Sequence, residues 1–165
     1  MFKKIFVPLD GTPESEPALE AAADVATLCG SEVVLGRVLF APESLSNRLQ
    51  HLVLSNQTAI EEHPACDYVE QQAARLRSRG LVVHTALLHD HSVEAGLDHL
   101  LEMEQPQLIV MTAHRKEGLR RHLAAAVSDH LIATAGCPVL VTGERALHQP
   151  HFQHTAAVSS RYRNK

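Results

Sequence analysis

The chain has 165 residues, 45% apolar and 21% charged, with a net charge of −4 when histidine is neutral. This is the length and composition of one globular domain, large enough to bury its core without disulfide or metal staples. The acidic balance argues against nucleic acid as a partner, and no apolar run approaches the ~20 residues that a membrane helix needs.

The first strand is read over Lys4 to Leu9, KIFVPL, ending on the Asp10-Gly11 turn signal. Ser15 is placed to cap the first helix, with Glu16 and Pro17 suited to its first turn. Leu19, Ala22, Ala26 and Cys29 recur along one helical face, and Gly30 stops the helix. Val33 to Leu39 forms a second strand. From Ala41 to His63 the periodicity weakens, and Pro42, Ser44, Ser46 and Asn47 predict a loop, either a lid or an ordinary surface connection, with at most a helical turn within Leu49 to Leu54. A helix is predicted over Tyr68 to Arg79, with Val69, Ala73 and Leu76 inward and Gly80 as its stop. Leu81 to Leu88 is a third strand. Ser92 caps the next helix, whose apolar positions are Ala95, Leu97, Leu100, Leu101 and Met103, and Pro106 ends it.

The last ordered stretch, Pro106 to Thr142, organises the rest. Gln107 to Met111 is a short apolar run typical of a strand covered on both faces. Leu119, Leu123, Val127 and Leu131 repeat every four residues, with Ala126, His130 and Ala133 beside them. Gly136 and Pro138 close that helix, and Val139 to Val141 are expected to form a fifth strand, buried like the fourth. Strands therefore alternate with helices throughout, which predicts a single-domain α/β fold: a doubly wound five-stranded parallel sheet with helices on both faces. The domain is expected to span 1–143. Residues 144–165, polar and broken by Pro150, read as a flexible C-terminal tail. The scattered Cys29, Cys66 and Cys137 form neither a disulfide framework nor a metal motif, and the N-terminal apolar stretch is too short for a signal peptide. A cytoplasmic protein is expected.

Two stretches resemble the universal stress protein family. IFVPLDGTPESEPAL is similar to that family's opening strand, Asp-Gly turn and capping serine. LIVMTAHRKEGLRRHLAAAVSDHLIATAGCPVLV is similar, in order and spacing, to its fourth strand, loop, fourth helix and Cys-Pro-Val-Leu-Val ending. The likeness runs from Lys3 to Val141. It implies an adenine nucleotide alpha hydrolase-like fold, a homodimer through the last strand (Val139, Leu140, Val141) and a role in stress survival. ATP-binding members carry glycines after strand four that let backbone amides approach phosphate. The corresponding positions here are Thr112, Arg115, Ala125 and Ala126, and all four depart: Thr112, Arg115 and Ala125 stand where the family has glycine, and Ala126 where it has serine or threonine. Gly118 remains, outside the strict signature. The family's nucleotide-contact aspartate matches Asp10, after Pro8, and Val38 stands where adenine meets backbone.

Each candidate also has a plainer reading. Asp10 could meet a ribose hydroxyl, or bond the amides of its own turn. Arg115, Lys116, Arg120 and Arg121, with only Glu117 among them, could hold phosphate by side-chain charge in place of glycine amides, or form a solvated helix start. His114 reads as loop structure. His148, His151 and His154 could gather a metal, as could His89-Asp90-His91, but no carboxylate or cysteine accompanies the tail histidines, so no metal site is assigned. No nucleophile elbow, P-loop or dinucleotide fingerprint is present, so no catalytic residue is nominated. The expectation is a non-catalytic regulatory or interaction protein, acting on an unidentified protein partner and not binding ATP tightly. The alternative is a module for ATP, AMP or a cyclic nucleotide that uses its basic loop, and a metal-responsive tail ranks third.

Overall fold

The computed structural model describes residues 1–40, 50–113 and 119–143, with 14, 40, 50–63, 113 and 119–125 described by backbone alone. The elements in order are β1 (Lys4–Pro8), a 3-10 turn (Pro13–Ser15), α1 (Glu16–Cys29), β2 (Glu32–Phe40) and α2 (Gln50–Arg77). β3 (Val83–Asp90), α3 (Val93–Glu104), β4 (Leu108–Ala113), α4 (Leu119–Thr134) and β5 (Val139–Gly143) complete the alternation.

All pairings are parallel and the strand order is β3-β2-β1-β4-β5. β1 lies at the centre, with Ile5 opposite Val33 on one side and Leu108 on the other. The expected doubly wound sheet is therefore observed, and its winding reverses between β1 and β4. The two-residue period of the strands divides the core. Ile5, Val7, Val33, Leu35, Leu108 and Val110 face α1 and α2, while Phe6, Val34, Ile109 and Met111 face α3 and α4. A strand buried on both faces has no polar alternation, which is why these segments read as unbroken apolar runs. Phe6, Ile5, Leu19, Leu100, Ile109 and Leu131 are among the largest fully buried side chains, each contributing about 1.5–3 kcal/mol by removal from water.

Several local expectations change. The helix read as Tyr68 to Arg79 begins at Gln50 and passes through Pro64. Proline removes one amide donor and crowds the preceding turn, so the sequence signal breaks there. The backbone continues because Ala65, Val69, Ala73 and Leu76 form one buried stripe on the sheet. Met103, expected inward, is 71% exposed, and α3 ends at Glu104, before Pro106, with Gln105 as its cap; the φ of 47° at Gln105 supplies the left-handed conformation usually left to glycine. On α4, Leu131 is fully buried but Ala126 and Ala133 face solvent. β5 is not a buried strand: Leu140 and Val141 are each 39% exposed, because nothing among the described residues pairs its outer edge. No helix of the described residues is long and apolar enough to cross a membrane.

Candidate functional site

Where the winding reverses, the carboxyl ends of β1, β2 and β4 diverge and leave a crevice that no crossover helix covers. A cavity of about 470 Å³ lies there. Val38, Val93, Leu97, Met111 and Val127 give it an apolar side against α3 and α4; Asp10, Thr12, Ser15, Arg37, Thr112 and Ser128 give it polar groups. This mixture of an apolar slot and a few convergent polar atoms is the usual make-up of a small-molecule site.

The loop after β1 is held by its own side chains. Asp10 Oδ1 accepts from the Thr12 amide at 2.9 Å and from Thr12 Oγ1 at 2.7 Å. The turn-residue reading of Asp10 thus describes one of its carboxylate oxygens. Ser15 stands at the N-cap of α1, but its hydroxyl makes no capping bond; it donates backwards to the Thr12 carbonyl at 2.7 Å. The cap comes instead from across the sheet. Thr112 Oγ1, on β4, accepts from the Ala18 amide in the first turn of α1 at 3.1 Å. It also lies 3.4 Å from the Ser15 carbonyl, to which it donates, and 3.2 Å from Thr142 Oγ1 on β5. Thr112 is 4% exposed, so these contacts are shielded from water.

Arg37, in the second half of β2, points to the α1/α2 side of the sheet, opposite its neighbour Val38. Its guanidinium carbon lies 5.8 Å from the centroid of the Tyr68 ring, on α2. It also rests over Gly11, where a Cβ would stand only 2.6 Å from a guanidinium nitrogen. Gly11 has a φ of 84°, so this position needs glycine both for its turn and for the arginine above it. Tyr68 donates to the Thr12 carbonyl at 3.3 Å. Burial raises its phenol above the usual value; Glu16 and Asp10 add to this, while the Ser15 hydroxyl and Arg37 oppose it. On the other wall, a Cβ at Gly96 would come within 2.5 Å of Val38, so glycine lets the start of α3 close against the cavity.

Beside the cavity, Ser92 caps α3 by accepting from the Ala95 amide at 3.0 Å. Asp90, just before it, sits between two imidazoles: His91 Nδ1 is 2.6 Å from Oδ1 and His99 Nδ1 is 2.8 Å from Oδ2. Desolvation of this carboxyl pushes its pKa upward. The His99 hydrogen bond, the His91 amide and the charge of both rings outweigh that and hold it below the usual carboxylate value. Among the described residues, no group of three or more His, Cys, Asp or Glu side chains is placed to hold a metal ion.

Of the residues nominated from sequence, Pro8, Asp10, Val38 and Thr112 line one cavity. Ala126 is exposed and outside it, while its neighbours Val127 and Ser128 line it. His114, Arg115, Lys116 and Gly118, and the tail histidines, lie outside the described residues; Arg120 and Ala125 fall on α4 where only the backbone is described. The sequence reading missed Thr12, Ser15, Arg37 and Val93. A charged residue inside the apolar run VVLGRVL was the available signal for Arg37.

A parallel five-stranded sheet that reverses its winding beside a cavity defines a doubly wound α/β protein. The chain belongs to the universal stress protein family, whose model matches residues 1–143. It is 29% identical over 143 residues to a universal stress protein of Methanocaldococcus jannaschii, covering 86% of this chain and 82% of that one. The fold is similar to a universal stress protein from Lactobacillus plantarum, with a TM-score of 0.71 at 18% identity over 84% of this chain and 96% of that one. It is also similar to a universal stress protein in complex with cAMP, with a TM-score of 0.65 at 13% identity over 87% of this chain and 98% of that one.

Proposed function

We propose that this protein is a non-catalytic, cytoplasmic regulatory module whose switch-point cavity takes a small nucleotide such as AMP or cAMP, without holding ATP tightly. The observation that supports this most is the cavity itself: about 470 Å³, apolar toward α3 and α4, with Asp10, Thr12 and Arg37 among its polar groups. A structural relative holds cAMP. Tight ATP binding of the family's kind would need glycine backbone at the end of β4 and a hydroxyl on α4; here Thr112, whose side chain bonds α1, and Ala126, which has no hydroxyl, stand at those positions.

Calorimetry with AMP, cAMP and Mg-ATP, on the native chain and on Asp10→Ala, tests the proposal. AMP or cAMP should bind, Asp10→Ala should weaken that binding, and Mg-ATP should bind no more tightly than AMP. Absence of binding by all three, or an ATP affinity tenfold above that of AMP, refutes it.

A homodimer through β5 belongs to the same reading, because Leu140 and Val141 expose apolar surface along an unpaired edge. The opposite edge, β3, exposes His84, Thr85 and His89 instead. In this reading residues 144–165 are an appended tail, and the dimer surface leaves the cavity accessible to a signalling ligand or a protein partner.

A further inference from the structure

We propose that Arg37 is the anion-binding residue of the cavity, so that a bound nucleotide monophosphate turns its phosphate toward the β1–β2 side of the crevice and not toward the segment after β4. The proposal rests on the reading of the cavity as a nucleotide site.

Three observations on the same few residues carry it. The first is charge. The arginines on α2 and after it are matched by carboxylates: Arg75 with Glu16 and Glu20, Arg77 with Glu70, Arg79 with Glu20 and Asp24. Arg37 lines the cavity, yet none of the ion pairs between described residues includes it. Its described neighbours are a ring face and a glycine backbone, which fix a guanidinium without neutralising it.

The second is order. A surface arginine loses rotamer freedom when it grips an anion. Between Tyr68 and Gly11, Arg37 has already lost much of it, and Tyr68 is itself tied to the Thr12 carbonyl. A planar, pre-positioned fork suits the paired oxygens of a phosphate.

The third is direction. Val38 and Arg37 are successive strand residues and face opposite sides of the sheet, so the apolar side of the cavity and its cation flank the same crest. A flat base seated against Val38, Leu97 and Met111 leaves its polar end to the groups on the β1 loop and Arg37. Asp10 repels phosphate and accepts from hydroxyls, which places a sugar between base and phosphate. On the β4 side the Thr112 hydroxyl is already engaged by the Ala18 amide.

The test measures binding of adenosine, AMP and inorganic phosphate to the native chain, Arg37→Gln and Arg37→Lys, at low and moderate salt, with circular dichroism as the check of folding. For the native chain AMP should bind on the order of ten- to a hundredfold more tightly than adenosine, the range for one charge-assisted contact. The advantage should shrink with salt. Arg37→Gln should bind AMP and adenosine alike, and Arg37→Lys should recover part of the difference. Equal binding of AMP and adenosine by the native chain, or an AMP preference unchanged in Arg37→Gln, overturns the assignment of Arg37 while leaving the cavity reading intact. Inorganic phosphate binding as tightly as AMP overturns the nucleotide orientation in favour of a simple anion site. Failure of both AMP and adenosine to bind overturns the nucleotide reading and this inference with it.

Discussion

Replacing Thr112 by valine changes one oxygen to a methyl group and keeps the shape of the side chain. The oxygen removed accepts from the Ala18 amide at 3.1 Å, in a position 4% exposed. Ala18 N–H is one of the first-turn donors that an α-helix cannot satisfy internally, and Ser15, the residue placed to help, bonds the Thr12 carbonyl instead. The valine variant therefore leaves a buried donor without its partner, which costs about 1–3 kcal/mol. For a domain of this size each kcal/mol moves the midpoint by about 2–4 °C, so a loss near 2 kcal/mol lowers Tm by ~4–8 °C. Urea unfolding followed by circular dichroism, with Thr142→Val as the control, measures it. Thr142 donates to the Met111 carbonyl at 3.2 Å, an acceptor already in the sheet, and its loss should cost less. A Thr112→Val variant within ~0.5 kcal/mol of the native chain would refute the claim that β4 caps α1.

Two further substitutions probe the edge and the acid limb. Val141→Lys should convert a dimer to a monomer in sedimentation, with the monomer's own melting within about 0.5 kcal/mol because Val141 is 39% exposed in the single chain; an unchanged sedimentation coefficient places the interface elsewhere. Asp90→Asn should flatten the acid side of the stability–pH curve. The folded carboxyl titrates below its ordinary value, so its contribution is complete above about pH 4 and disappears as pH falls through the lower folded value. Superimposable acid limbs for the two proteins would show that His91 and His99 do not stabilise the charge.

What the sequence disclosed and what it withheld follow from the range of the interactions. Gly30, Ser92 and the apolar strand runs act through their immediate neighbours, so the alternation of strand and helix was readable from them. Pro64 misled because the stripe of Ala65, Val69, Ala73 and Leu76 that overrides it gains its energy from the sheet, not from the helix. Arg115 and Lys116 drew attention as part of a run of charge, whereas Arg37 is a single charge whose meaning depends on Tyr68 and Gly11, both brought to it by folding. Thr112 could be read as the loss of a glycine. That its hydroxyl completes α1 depends on a contact spanning 94 residues, which no local pattern carries.

The central place of β1 has a consequence for the order of assembly. Its pairing with β2 closes a segment of roughly thirty residues, while its pairing with β4 closes one of roughly a hundred, an extra entropic cost of about 1 kcal/mol. During synthesis β1, β2 and β3 can gather around α1 and α2 while Leu108 and Ile109 are still to be made. Through that interval the outer hydrogen-bonding edge of β1 is uncovered, with Ile5, Phe6 and Val7 beside it. The nascent chain is thus most open to wrong strand partners at the element that ends up most enclosed. The arrival of β4 closes that edge and, through Thr112, completes the first turn of a helix made some ninety residues earlier.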